Sequence, residues 1–301
     1  MIPYDRHRWF APLLASRGSI GRVVALRVFA FVALSALIAY GHKRGVVHAI
    51  YPAIHAMFGT VLGLLMTFRT QTGYDRFWEG RRAWGSIVNR SRDLGRHLVS
   101  AIPMKHRREC ILHVCLFVHS LRAHLWGTSL DEEVKRLFPS DKSLLEVPGP
   151  VHRSVLALSQ RLRGLAKEGT LDAMTRDRIE RSITELVDQW GVCQRIKRTP
   201  IPFAYVIHIR RCLVLFLATL PFAIVDSMGM WTPLTIGLLA YSLLGIEEIG
   251  TEIEDPFDQT PNDLDLQPFT EMIEAELLAL LGDEVDDISE PLEDAVLGEP
   301  S

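Results

Sequence analysis

Carboxylates crowd one part of the chain: Glu247, Glu248, Glu252, Glu254, Asp255, Asp258, Asp263 and Asp265. Such a cluster can hold a hard cation such as calcium where carboxylates and carbonyls converge. It could equally hold the metal of a membrane enzyme, or strap an acidic segment onto a basic surface. A second group is the run from Arg69 to Gly85, RTQTGYDRFWEGRRAWG, where aromatic and charged residues alternate directly after an apolar stretch. Its composition fits an interfacial belt with snorkelling arginines better than a nucleic-acid site. Just ahead of it, Thr60, Leu64 and Phe68 repeat at i, i+4 and i+8, so they form a row on one helix face. Gly59, Gly63 and Thr67 form a small-residue ridge beside that row, of the kind that lets helices approach closely. The row could line a narrow pore if several copies surround an axis, or it could face lipid or a neighbouring helix. Glu109 and His113, at i and i+4, could share a metal or form a surface pair. His48 and His55 could line a vestibule or reach an interface. There is no GxSxG, HExxH, P-loop or helix-opening GxGxxG.

The elements carrying these residues are set by composition. The chain has 301 residues, of which 48% are hydrophobic, and its apolar residues come in blocks. Each backbone polar group in hydrocarbon must be paired within its own segment, so a spanning helix needs about 20 mostly apolar residues. Val23–Gly41, Val46–Phe68, Cys212–Val225 (lengthened by Ile201–Ile209) and Met228–Ile246 supply four spans in two hairpins. Val23–Gly41 reads as a span, since its apolar run is long for a cleaved signal peptide and three more spans follow. The middle of the chain reads as helical, with amphipathic helices over Arg81–Ile102, Glu109–Trp126, Val151–Lys167 and Met174–Arg195. In the last of these, Ile179, Ile183, Leu186, Trp190 and Cys193 make a packing stripe.

Charge is divided sharply. All 33 Lys and Arg lie at or before Arg211, and 19 of the 36 Asp and Glu follow Ile246, so residues 1–246 carry +16 and the remainder −19. Arg6, Arg8, Arg17 and Arg22 precede the first span and seven arginines between Arg69 and Arg96 follow the second, which places both termini and the middle of the chain in the cytoplasm. Four cysteines without a CxxC argue against a disulfide framework or a zinc knuckle. Within the acidic tail, Phe269, Ile273, Leu277 and Leu281 offer an apolar seam for an electrostatic strap on the basic middle. The expected architecture is an all-α membrane protein divided as 1–68, 69–200, 201–249 and 250–301: a first hairpin with its N-terminal segment, a helical cytosolic region, a second hairpin, and an acidic tail.

Four patches, in order, resemble the bestrophin family of membrane channels, and its bacterial branch in particular. They are Arg17-Gly-Ser-Ile20, the run Arg69–Gly85, Thr199-Pro-Ile-Pro-Phe-Ala-Tyr205, and Glu254-Asp-Pro-Phe257 with Asn262-Asp263. The resemblance implies a homopentamer in the bacterial inner membrane, passing chloride or other small monovalent ions through one central pathway. Bacterial relatives leave cation conduction open. It places a hydrophobic neck on Thr60, Leu64 and Phe68, with Thr60 where the family usually has an aliphatic residue. It places a cytosolic aperture at Met174, counted back without gaps from Pro202. Animal bestrophins clasp calcium at a matching segment, which here is Glu252, Asp255 and Asp263. Thr260 stands where a further carboxylate is expected, so the resemblance implies no obligatory cofactor and a weakened calcium clasp. The partners implied are copies of the chain, the bilayer and the permeant ions, with no nucleic acid. The rival reading is a metal-dependent membrane enzyme built on the acidic cluster.

Overall fold

The structure, a computed structural model, describes residues 18–139 and 150–282. Among them there are helices and no strands. The helices are α1 (Gly21–Lys43), α2 (Ala53–Ala101), α3 (Met104–Trp126), α4 (Asp131–Leu137), α5 (Pro150–Lys167), α6 (Ala173–Arg198), α7 (Phe203–Met228), α8 (Thr232–Glu252) and α9 (Leu266–Ala279). They form two compact units. The first takes the chain to Arg81 and from Ile196 to Leu264, and the second takes Arg82–Arg195 and the chain from Asp265 onward.

In the first unit, α1, α7 and α8 pack on one another and the first part of α2 lies against α7. Its core comprises Val24 of α1, Leu62 and Met66 of α2, Leu213, Phe216 and Leu217 of α7, and Ile236, Ala240 and Leu244 of α8. The stretches Gly21–Lys43, Ala53–Ala101 and Phe203–Glu252 are each long and apolar enough to cross a membrane. The last folds back on itself: a 3-10 turn at Gly229–Trp231 separates α7 from α8, which pack together.

Two boundaries differ from the sequence expectation. The second apolar helix starts at Ala53 instead of Val46, because Pro52 disfavours helical backbone before it. The extended lead-in is held instead by the Ile50 N–H donating to Phe222 O at 3.0 Å. At its other end α2 does not stop at Phe68 but continues unbroken to Ala101, joining the expected Arg81–Ile102 helix to the span.

In the second unit α3 is buried almost all round, with α4, α5 and α9 against it. The α6 stripe is buried as its periodicity requires, from Ile179 at 0% exposure to Trp190 at 7%. Gly127 (φ +67°) and Gly169 (φ +72°) end α3 and α5 in left-handed conformations that other residues adopt at a cost. α4 has no counterpart in the sequence expectation, since seven residues are too few for a clear periodic signal.

The strap is realised by α9. Ile273 and Leu277 are buried, and Phe269 stacks on Trp84 with ring centroids 6.3 Å apart. Arg92 grips Glu276 with two hydrogen bonds of 2.6 Å. Glu274 accepts from Arg136 and from His119, and Arg122 bridges Gln267 and Glu133. Glu109 pairs with Arg161, and the His113 ring packs on Phe138. Residues 283–301 of the acidic tail, and Arg6, Arg8 and Arg17, lie outside the described residues.

Burial pushes the Glu274 carboxyl up, but hydrogen bonds from Arg136 and His119 outweigh it and hold the group at about 2, against an ordinary 4.5. A depressed carboxylate stabilises the fold above its unfolded value and loses that contribution as pH falls through the folded one. Hydrogen exchange in α9, corrected for intrinsic rates, should therefore accelerate as pH falls from 4.5 towards 2. Glu274→Gln should loosen α9 already at neutral pH, by about 1–3 kcal/mol, because it removes the carboxylate that buried His119 and half-exposed Arg136 both engage.

Candidate functional site

α2 carries two opposed faces within the first unit. Leu62, Met66, Arg69, Gly73 and Gly80 are buried. Thr60, Leu64 and Phe68 lie on the opposite side, about 200° from Leu62 and Met66, and are exposed, Leu64 and Phe68 at 56% each. The Thr60 hydroxyl donates back to Ala56 O at 3.0 Å and keeps its lone pairs for another donor. Of the small-residue ridge, Gly59 is used within the chain, since a Cβ there would meet the Phe216 ring at 3.2 Å. Gly63 faces open space.

The buried face is organised around charge. Arg69 is 1% exposed, its Nη2 donates to Thr251 Oγ1 at 2.7 Å, and Glu247 and Glu254 lie 3.7 and 3.9 Å away. Glu247, also buried, accepts from Arg210 Nε at 2.7 Å, so that charge is paired although the Arg210 side chain itself stays exposed. Arg76 donates to three carbonyls, Ile196 O, Thr199 O and Glu254 O, at 2.6 to 2.9 Å. Arg69 and Arg76 thus turn into the protein instead of snorkelling as their composition suggests: three carbonyls take the Arg76 N–H groups, while Arg69 has Thr251 on Nη2 and two carboxylates nearby, its Nε and Nη1 making no hydrogen bond among the described residues. Tyr74 and Trp78 remain about half exposed and stack on each other.

All four sequence patches meet here. Ile201 N–H donates to Glu254 Oε1 at 2.8 Å, and Asn262 Nδ2 donates to Gly18 O at 3.1 Å and to Glu252 Oε1 at 3.0 Å. A Cβ on Gly73 would lie 2.9 Å from Ile253, and one on Gly80 would lie 2.9 Å from Pro256 and 3.1 Å from Phe257. Both glycines are there because the 250–257 segment runs against the helix. In the sequence these patches stand out by resemblance alone, and only the contacts reveal that they form one knot.

The acidic residues line or flank a cavity of about 460 Å³ that includes Ser19, Glu248, Glu252, Asp255, Asp258 and Thr260. Asp255 is engaged by Lys197 Nζ at 2.8 Å and by the Phe257 N–H at 3.1 Å. Asp263 lies outside the lining, buried, with Oδ2 accepting the Thr260 N–H at 2.7 Å. Burial, against the pull of that hydrogen bond, holds its carboxyl above the ordinary aspartate range. Among the described residues no three carboxylate, imidazole or thiol groups come together as a metal site needs. Glu252, Asp255 and Asp263 share one region, with Asn262 Nδ2 donating to Glu252 Oε1.

Met174 belongs to the second unit, in the first turn of α6, and is 76% exposed. Asp172 caps that turn, accepting the Met174 and Thr175 N–H groups at 3.0 and 2.9 Å. Hydrogen bonds from Thr175 hold the Asp172 carboxyl below its usual range. His55 Nε2 lies 2.9 Å from Thr219 Oγ1 of α7, and His48 is exposed.

Apolar helices long enough to cross a membrane, joined at one end by a charged knot, define a helical membrane protein. The chain belongs to the bacterial/fungal bestrophin family, whose Bacterial/Fungal Bestrophin protein pattern matches residues 1–279. It is 35% identical to a voltage-dependent anion channel-forming protein of Nostoc sp. (87% of this chain, 88% of the relative), and 34% identical to one of Synechocystis sp. (91% and 92%). Its fold is similar to the crystal structure of a bacterial bestrophin homolog from Klebsiella pneumoniae, with TM-score 0.81 and 28% identity over 86% of this chain and 98% of that one.

Gly80→Ala should force Pro256 and Phe257 off the helix and cost about 1–3 kcal/mol, as overpacking does. Thermal unfolding of the detergent-solubilised protein should show the loss, while Gly63→Ala, facing open space, should leave the unfolding temperature of the isolated protomer unchanged.

Proposed function

We propose that the chain forms a homopentameric channel of the bacterial inner membrane. It passes small monovalent ions passively along a central path lined by α2. The observation that carries this reading is the row Thr60, Leu64 and Phe68: it stands exposed on the face of α2 opposite the buried knot, within a family whose relatives are named as anion channel-forming proteins. Those names favour chloride and other anions as cargo, and make a channel the better account than an enzyme on the acidic cluster. In this reading α1, the first part of α2, α7 and α8 are the four spans, and both termini are cytoplasmic. Met174 narrows the cytosolic end.

The physics is that of an apolar constriction. Water in a narrow ring of Leu64 and Phe68 side chains forfeits hydrogen bonds, and an ion crossing it loses hydration that the wall does not replace. Thr60 softens one end, because its hydroxyl oxygen accepts from water. Leu64→Ala or Phe68→Ala should raise single-channel current severalfold in liposomes and make the closed state harder to hold, with Thr60→Ala doing less. The protein should keep a mass near five times the 34.0 kDa protomer in mild detergent. Unchanged current and open probability in both large-to-small variants, with assembly intact, would put the row against lipid or another helix.

Calcium is not required in this reading. Thr260 in place of a carboxylate, and Lys197 already on Asp255, support it. Currents should persist when calcium is chelated; loss on chelation and recovery with micromolar calcium would overturn this.

A further inference from the structure

We propose that Asp75 sets the balance between cations and anions in this channel, as a ring of carboxylates just beyond the apolar constriction. The inference rests on the reading of Thr60, Leu64 and Phe68 as pore lining and extends it to the residue that follows them on the same face. At 100° per residue, the seven steps from Phe68 to Asp75 return to within about 20° of the same direction, and they advance about 10 Å along the helix. Asp75 is exposed, as is Gln71 between them. The face thus runs from apolar at Leu64 and Phe68, through an amide, to a carboxylate.

The surroundings of Asp75 hold its charge in place and leave it unneutralised. Gln71 Nε2 donates to Asp75 Oδ1 at 3.0 Å, an i, i+4 bond that steadies one oxygen and leaves the other free to meet an ion. Arg69 and Arg76, on the buried side of the same stretch, are committed elsewhere. Arg69 is enclosed by Thr251, Glu247 and Glu254, and Arg76 gives its guanidinium to three backbone carbonyls. Among the described residues no cation pairs with Asp75. Copies of such a carboxylate around one axis, in a mouth with low-dielectric walls, concentrate cations and hold back anions. An apolar constriction by itself penalises both signs, so the choice falls to the first fixed charge next to it. Asp75 is that charge, and it opposes whatever anion preference the rest of the pore supplies.

The test uses the full-length protein in liposomes, with reversal potentials read in a potassium chloride gradient. Asp75→Asn keeps an oxygen for Gln71 and removes only the charge. The chloride-to-potassium permeability ratio should rise severalfold, while Asp75→Glu should keep the original ratio. Gln71→Lys, which sets a cation beside the carboxylate, should shift the ratio in the same direction and serves if the first variant does not assemble. An unchanged ratio in Asp75→Asn, alongside a raised current in Leu64→Ala, would overturn the role of Asp75 and leave the constriction standing. If neither variant changes the currents, the pathway along α2 fails and the inference fails with it.

Discussion

An arginine at the end of an apolar helix stretch must be neutralised, and Arg69 meets that demand inside the protein. Its guanidinium is withdrawn from water beside Thr251, Glu247 and Glu254, and Glu247 in turn takes Arg210. Breaking one member of such a buried set leaves an uncompensated charge and costs several kcal/mol. The cluster therefore fixes the rotation of α2 about its axis. Once Arg69 faces α8, Leu62 and Met66 must face the core, and Leu64 and Phe68 must face away. The row that the proposed pathway needs is a geometric consequence of where one positive charge is buried.

The residues that knot the family patches together and the residues of the outward row have separate work. Arg76, Gly73, Gly80, Ile201, Glu254, Phe257 and Asn262 tie the end of α8 and the segment after it to α2 and to the chain ahead of α1 and α7. None of them needs to meet an ion. The face of α2 left over holds Leu64 and Phe68, more than half exposed among the described residues, which is what an oligomer or a conducting axis would use. In the second unit a different balance holds: α9 is seated by an apolar seam and by Arg92 and Arg136, so the acidic segment from Asp265 onward begins as part of the basic helical region.

Much of this was legible in the residues. Helical periodicity located α3, α5, α6 and the seam of α9, and hydropathy located the apolar helices, because both signals are local and repeat over many residues. The row Thr60, Leu64 and Phe68 was visible by spacing, although spacing could not tell pore from lipid. What stayed hidden depends on contacts between distant positions. Arg69 and Arg76 look like snorkelling residues until the carbonyls and carboxylates that enclose them, more than a hundred residues away, are in place. Gly73 and Gly80 carry no meaning until the 250–257 segment lies on them. The start of α2 at Ala53 turned on Pro52, a single residue that an apolar window averages away. The partners of the acidic cluster were equally hidden: Lys197 on Asp255 and the Thr260 N–H on Asp263 cannot be read from composition.

The central claim is that water and ions reach the Leu64 face of α2. It is tested most directly by placing a thiol there and adding a charged, membrane-impermeant thiol reagent during current recording. The native background is low: Cys110 and Cys115 are buried, burial pushes the Cys110 thiol up to about 12 and Cys115 up as well, and Cys193 is buried. Leu64→Cys in a background with Cys212→Ser should lose current progressively on modification, and faster when the channel is open. Current that stays unaffected while mass spectrometry shows the introduced thiol fully modified, or a thiol at that position that reacts only with lipid-soluble reagents, would contradict an ion path along this face.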